Sequence, residues 1–235
     1  TSLEPIATTT VRTRWRRIVT SIPAPESIPL IERLRQVEPQ SMAGMPPILW
    51  HEAEGFLVRD SSGNQWIDLT SGIVLANAGH AHPRVVQAIR QAAEQRLLAT
   101  YAFPSEPRLK LLERLVALSP IPDSKAILYS SGTEATECAL MLMRRHGQRI
   151  HSDKVGILSL AGNYHGRTLA AQLASGTPQS TDWIDRERVH HFQIPAPNCL
   201  ACPWGRTHYE QCGATCFHAG LEALAARGID LDRIA

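Results

Sequence analysis

The segment Tyr129-Ser130-Ser131-Gly132-Thr133-Glu134-Ala135 has residue types suited to holding phosphate. It follows a short apolar run at residues 126–129. A helical pattern succeeds it, expected to bury Ala135, Cys138, Ala139 and Leu142 at i, i+3, i+4 and i+7. The first amides of a helix lack intrahelical acceptors and lie at its positive dipole end, so the N–H groups of Gly132 and Thr133 suit an anion. Gly132 lets a ligand approach the backbone closely, and the hydroxyls of Ser131 and Thr133 add donors. The same residues would serve as a plain cap, with Ser131 at the N-cap and Glu134 in the first turn. From this motif alone the plain cap is the expected reading.

A second motif, Gly162-Asn163-Tyr164-His165-Gly166-Arg167-Thr168, follows another strand-like run that ends near Leu160. In an open parallel sheet, the loops leaving the carboxyl ends of the strands build the ligand crevice. One phosphate-friendly loop and one carrying adjacent aromatic rings and an arginine together suit a flat, anionic cofactor. Arg167 could grip a carboxylate through two parallel hydrogen bonds or serve in a structural ion pair.

A third constellation is Cys199-x2-Cys202-x9-Cys212-x3-Cys216. By count it would serve a zinc or iron–sulfur site, with His208 and His218 as alternative ligands. Cys216 falls inside a predicted helix, however, and spacing alone often misleads. The expectation is a surface loop of reduced thiols and no metal.

The elements that must position these residues follow from periodicity. Residues 1–47 are Pro-rich and read as an extended arm with one helix around residues 28–37. Within it, residues 8–20 hold Arg12, Arg14, Arg16 and Arg17 and no acidic residue. That composition suits a transit peptide or a nucleic-acid arm, but a loose solvated tail is the plainer expectation. Residues 48–75 contain a hairpin: Phe56 and Val58, the turn Asp60-Ser61-Ser62-Gly63-Asn64, then Trp66 and Leu69. From Pro83 the period becomes helical, with Val85, Ile89, Ala92 and Ala93 on one face. A second helix, opening near Ser105, is expected to bury Leu109, Leu112, Leu115 and Val116.

Apolar runs at 126–129, 155–160 and 189–192, separated by helices or loops, predict α/β architecture with a mostly parallel sheet. Residues 76–235 read as one sheet domain. A helix over 214–227, closed by Gly228, leads toward a further strand expected beyond Ala235, so the sheet reads as unfinished.

The 235 residues carry a formal charge of +2, with 21 arginines and only three lysines: Lys110, Lys125 and Lys154. Such a balance gives no reason to expect nucleic acid or a membrane as partner, and no apolar run approaches the ~20 residues of a span. The five cysteines do not suggest a secreted disulfide framework, so a reducing, cytoplasmic compartment is expected.

Three motifs stand in order: Gly72-Ile73 through Gly79-His80-Ala81-His82-Pro83, the Ser-Gly-Thr-Glu-Ala loop, and Tyr-His-Gly-Arg-Thr. In these the chain resembles the class III, fold-type I, pyridoxal-phosphate (PLP)-dependent aminotransferases from about residue 45 onward. That family includes the 4-aminobutyrate, ornithine and acetylornithine aminotransferases. The resemblance implies that Ser131, Gly132 and Thr133 hold the cofactor phosphate, Tyr164 stacks on its ring and His165 packs nearby. Arg167 would pair with a substrate carboxylate, and Ser71, Gly72 and Ile73 would line the substrate side. His80 and His82 would be structural. The activity implied moves an amino group between an amine or amino acid and a 2-oxo acid, in a homodimer. A racemase or epimerase of the same family is the alternative, and a non-catalytic assembly module is another.

The resemblance also implies a lysine that attaches covalently to the cofactor and an acid on its ring nitrogen. Both would lie beyond Ala235. Lys110 is remote from both loops, while Lys125 and Lys154 precede strands at the wrong end of the sheet. The chain alone is therefore expected to be inactive, whether it is a shortened piece, a proteolytic remnant, or half of a split enzyme that meets its missing C-terminal half.

Overall fold

The computed structural model describes residues 3–42, 44–100, 102–176, 181–202, 204–205 and 212–235. The chain divides into two compact units, Thr1–Ser105 and Glu106–Ala235.

In the first unit, five short antiparallel strands form a sheet in the spatial order β1 (Val11–Arg12), β2 (Arg17–Ile18), β5 (Gln65–Ile67), β4 (Leu57–Arg59) and β3 (Glu52–Glu54). β4 (Leu57–Arg59) and β5 (Gln65–Ile67) are the expected hairpin, with Val58 opposite Trp66. Asp60 shapes its turn, its Oδ1 accepting from the amides of Ser62 at 3.0 Å and Asn64 at 2.8 Å. β3 (Glu52–Glu54) pairs with β4.

β1 (Val11–Arg12) and β2 (Arg17–Ile18) come from the arginine-rich segment, where a loose tail was expected. Asn64 supplies the physical reason for this difference. It is only 1% exposed, and a buried amide is costly unless bonded. Its Oδ1 accepts from the amides of Val19 and Thr20 at 2.8 and 3.2 Å. Its Nδ2 donates to Thr20 Oγ1 and Asp60 Oδ2, both at 2.7 Å. α1 (Ile28–Val37) forms where the pattern placed it.

After β5 the chain makes an unusual element. α2 (Ser71–Val74) winds left-handed, with φ of 51° at Ser71, 62° at Gly72, 61° at Ile73 and 64° at Val74. Glycine accepts this conformation cheaply, but each other L-residue pays about 1–2 kcal/mol, and β-branched residues are rare there. α3 (Pro83–Glu94) then opens on proline, with His82 Nδ1 accepting from the Arg84 amide at 3.3 Å.

The second unit contains α4 (Glu106–Leu118), α5 (Gly132–Ile150), β6 (Ile157–Leu160), α6 (Leu169–Leu173), β7 (His191–Ile194) and α7 (Thr215–Ala226). β6 and β7 pair in parallel from Ile157 opposite His191 to Leu160 opposite Ile194. Ile234 bridges Gly156 in parallel as well. The parallel α/β arrangement is thus present. Ile157 and Ile194 are among the most buried side chains, and each such burial contributes about 1.5–3 kcal/mol. Gly220 brings α7 against β7, because a Cβ there would stand 2.7 Å from Ile194 Cβ.

Three expectations need correction. The run 126–129 is not a strand among the described elements, and Ile127, Leu128 and Tyr129 are exposed. Apolar β-formers become a strand only when a neighbour pairs with their backbone. The stripe on α4 forms as a helix, yet Leu109, Leu115 and Val116 stay exposed. On α5 the buried face is not that of Ala135, Cys138, Ala139 and Leu142. Leu140 and Gly147 are buried instead, and Leu142 is 55% exposed. Gly147 decides this: a Cβ there would lie 2.4 Å from Lys154 O. That close approach rolls the helix so that Leu140 packs on Ile157 and Ala174.

Candidate functional site

Ser131 is extended (φ −142°, ψ 159°) and caps α5, its Oγ accepting from the Glu134 amide at 3.3 Å. The hydroxyl in turn donates to Glu134 Oε2 at 3.1 Å. The cap and the phosphate cradle are therefore compatible. The cap occupies the third amide of the helix and leaves those of Gly132 and Thr133 with no acceptor among the described residues. A Cβ added to Gly132 would meet nothing within 4 Å, so open space lies above the two free amides. An anionic group fits there by both shape and charge. Both hydroxyls expected to add donors are engaged, Ser131 with Glu134 and Thr133 with Thr168.

The second loop leaves the carboxyl end of β6 and meets the first one directly. Gly166 has φ 134°, and a Cβ on it would stand 2.1 Å from Thr133 Oγ1 and 2.5 Å from Thr133 Cβ. Only a residue without a side chain can sit there. Thr133 Oγ1 also shares a 2.8 Å hydrogen bond with Thr168 Oγ1. The His165 amide donates to Ser175 Oγ at 2.7 Å, which donates to Ala171 O. Tyr164 is 76% exposed, and Arg167 is exposed with no ion pair among the described residues. Ring and guanidinium are thus both free to meet a ligand. Ile73 belongs to the other unit, on the strained turn α2.

Glu137 was not singled out by the sequence. It stands one turn into α5, and its Oε1 accepts from Thr168 Oγ1 and from the amides of Ala170 and Ala171 at 3.0 and 3.1 Å. A carboxylate at a helix N-terminus is favoured by the dipole, and this one ties the second loop and α6 back to the first. Burial raises its carboxyl, but the bonds from Thr168, Ala171 and Ala170 outweigh that and hold it below the usual range. A Glu three residues after Glu134, on the face shared with Leu140, was the available signal.

Beneath this junction lies His191, 3% exposed on β7. Burial, then the guanidiniums of Arg144 and Arg186, push its imidazole down to about 4, with Glu137 opposing. The folded chain keeps it neutral, whereas an unfolded chain protonates it near 6.5. Its contribution is therefore complete above that pH and is lost as pH falls toward 4. The expected slope is up to about 1.4 kcal/mol per pH unit. Denaturation midpoints across pH 4–7 should show this slope in the wild type and a flatter one in His191→Phe; equal slopes would refute it.

In the first unit, Asp68 closes a second set of contacts. Its Oδ1 accepts from the amide and hydroxyl of Thr70 at 2.8 and 2.6 Å. Its Oδ2 accepts from the Gly72 amide and lies against His80 Nε2, each at 2.7 Å. Bonds from Thr70 and His80 hold this carboxyl well below the ordinary carboxylate range, against the effect of burial.

Cys138, Cys199, Cys202, Cys212 and Cys216 are free thiols. Among the described residues no group of three His, Cys, Asp or Glu stands together as a metal site. His208 lies outside the described residues. Among the described residues no helix is long and apolar enough to cross a membrane.

The three lysines stand away from this junction. Lys110 pairs with Glu106 on α4 at 2.6 Å. Lys125 is exposed before residues 126–129. Lys154 Nζ donates to Asp232 O at 2.9 Å, at the amino end of β6 and opposite the loop.

Comparison with known proteins agrees with the geometry. Residues 39–226 match the family Aminotransferase class-III. The chain is 38% identical over 136 residues to ornithine aminotransferase 2 of Staphylococcus saprophyticus, covering 57% of this chain and 34% of that one. It is 30% identical over 214 residues to the alanine/serine racemase of Pyrococcus horikoshii, covering 89% and 44%. The chain thus spans less than half the length of these relatives. Among solved structures, an (S)-enantioselective omega-transaminase from Thermomicrobium roseum matches with TM-score 0.72 at 24% identity, over 93% of this chain and 49% of that one. The omega transaminase of Pseudomonas jessenii, solved with PMP, matches with TM-score 0.73 at 22% identity, over 89% and 47%. At those identities the likeness speaks for the fold, which is the fold-type I α/β architecture. The matched span covers both loops and most of the chain: it belongs to the class-III aminotransferase family.

Proposed function

We propose that this chain is the front, cofactor-gripping part of an aminotransferase that moves an amino group between an amine or amino acid and a 2-oxo acid. The cofactor is pyridoxal 5'-phosphate, the cofactor of the family. One observation carries the reading: Thr133 touches Gly166 and Thr168, so the free amides at the start of α5 and the Tyr164–Arg167 segment form one continuous surface.

When bound, the cofactor supplies an electron sink that stabilises the carbanion left by deprotonation beside nitrogen. The amides of Gly132 and Thr133 hold its phosphate, with Ser131 fixing the turn. Tyr164 packs on the ring, His165 holds the loop through its amide, and Arg167 draws in a substrate carboxylate. Ile73 lines the substrate side.

Within the whole enzyme, residues 1–47 form an arm, 48–75 a small-domain hairpin and 76–235 the cofactor domain, in a cytoplasmic homodimer. The free cysteines and the lack of any apolar spanning helix among the described residues are compatible with that compartment.

In the full-length enzyme, Arg167→Ala should leave cofactor affinity unchanged and raise KM for carboxylate-bearing substrates about tenfold or more, from loss of a bidentate pair. Tyr164→Ala should weaken cofactor binding by about 1 kcal/mol. Steady-state kinetics and cofactor titration separate the two. An Arg167→Ala enzyme with wild-type KM would make that residue structural.

The chain alone should not turn over, because none of its lysines stands at the junction. Turnover by the purified chain that survives Ala at Lys110, Lys125 and Lys154 in turn would overturn that reasoning. The racemase match across 89% of the chain keeps a second reading alive. Addition of an amino donor converts a transaminase's cofactor spectrum to the amine form, whereas a racemase retains the aldehyde form.

A further inference from the structure

Four consecutive residues in the left-handed region do not stay there unaided, and three of them here carry side chains. The turn's own bonds, Val74 N–H to Thr70 O at 2.7 Å and Leu75 N–H to Ser71 O at 3.0 Å, would be equally available to a right-handed turn. The restraint must come from outside, and Asp68 and His80 supply it. The carboxylate of Asp68, its side chain 4% exposed, takes the Gly72 amide on Oδ2 and Thr70 on Oδ1. The Thr70 hydroxyl then accepts from the Ile73 amide at 3.3 Å. The amides of Thr70, Gly72 and Ile73 are thereby aimed.

His80 fixes the carboxylate in turn. An ionised carboxylate only accepts, so the 2.7 Å contact requires His80 Nε2 to carry the proton and donate. His80 is itself clamped to the sheet, its amide donating to Gly55 O at 2.7 Å and its carbonyl accepting from Gly55 N–H at 2.9 Å. Trp50 stands edge-on to its ring with centroids 5.6 Å apart. Gly72 completes the fit, since a Cβ there would touch His80 Cε1 at 3.4 Å.

The clasp holds up Ile73, 60% exposed. Ile73 forms a wall of an apolar hollow of about 540 Å³ that includes Trp50, Trp66 and Ile48. Backbone strain of this kind persists only where the surroundings over-determine it, and it concentrates at ligand-handling segments.

We propose that Asp68 and His80 are positioning residues that lock the left-handed turn Ser71–Val74, and that the locked turn sets which amino donors are accepted through the placement of Ile73. The second half rests on the substrate-side role given to Ile73 above.

The test uses the full-length, PLP-saturated enzyme and the variants Asp68→Asn, His80→Ala and His80→Gln. Two quantities are read: amide hydrogen exchange in peptides covering residues 70–75, and the ratio of kcat/KM for a bulky aromatic amine to that for alanine. Asp68→Asn and His80→Ala should speed exchange about tenfold or more, because one charge-assisted bond is lost. They should shift the donor ratio about fivefold or more toward the bulky amine, the scale on which pocket walls discriminate. PLP affinity should stay within about twofold, since no phosphate contact is touched. The Gln variant can still donate to Asp68 and should restore both quantities. Asp68→Asn guards against misfolding of the Ala variant.

Unchanged exchange in every variant would overturn the locking role. Faster exchange with an unchanged donor ratio would overturn the specificity role. A wild-type enzyme that uses no amino donor at all would instead defeat the transaminase reading, and exchange would still report on the clasp.

Discussion

Gly132→Val in the full-length enzyme should fold like the wild type and lose pyridoxal phosphate by at least one order of magnitude. The first half follows from the open space around Gly132: an added Cβ meets no protein atom within 4 Å. Its φ is not among the left-handed glycines, so no special backbone conformation is lost. The second half follows from what the space would hold. A branched side chain beside the free amides of Gly132 and Thr133 blocks a phosphate from both. Charge-assisted amide bonds are worth about 1.5–3 kcal/mol each, or one to two decades of affinity apiece. Cofactor titration by absorbance, alongside a thermal melt of the apo form, checks both halves. Wild-type affinity in a normally folded variant would reduce this segment to a helix cap.

Gly166→Ala should damage fold and cofactor binding together. Its Cβ would lie 2.1 Å from Thr133 Oγ1 and 2.5 Å from Thr133 Cβ, at φ 134°. Something must move, and the movable parts are the two loops themselves. Overpacking of this kind costs about 1–3 kcal/mol, and an L-residue at such φ adds a comparable amount. Gly162→Ala is the internal control, because φ there is also positive, at 83°, but a Cβ meets nothing. That control should cost about 1 kcal/mol, the conformational part alone. The double variant Gly166→Ala with Thr133→Gly removes the clashing side-chain atoms and should recover part of the stability but little of the cofactor affinity. Denaturant midpoints for the four proteins give the comparison. If Gly166→Ala is no worse than Gly162→Ala, the two loops do not meet as described.

The two glycines show where sequence reasoning reached and where it stopped. Both loops were legible because the signals are local: a serine before a helix, a glycine at its first position, and Tyr-His-Gly-Arg after an apolar run. That they form one surface was not legible, since the close approach of Gly166 to Thr133 joins residues 33 positions apart. Glu137 escaped notice for the same reason. Its partners Thr168, Ala170 and Ala171 are invisible to helical periodicity, which gives a face but not what faces it. The period misled directly on α5, where Gly147 rolled the helix onto Leu140.

By itself the sequence determined the hairpin from 57 to 67, the helix Ile28–Val37, the parallel α/β alternation and the residue types offered to an anionic cofactor. Each is set by short-range physics: turn chemistry, side-chain period and capping. Only the tertiary structure decided the rest. The arginine-rich arm became β1 and β2 because the buried Asn64 needs its amides, and residues 126–129 are no strand because no described neighbour pairs with them. The turn at Ser71–Val74 became left-handed because Asp68 and His80, twelve residues apart, hold it there. At the arm and at the turn a long-range contact outweighed a local preference, since a buried hydrogen-bonding group left unsatisfied costs about 1–3 kcal/mol, more than the fraction of a kcal/mol that local propensity commands; at 126–129 the local preference had no partner to act through.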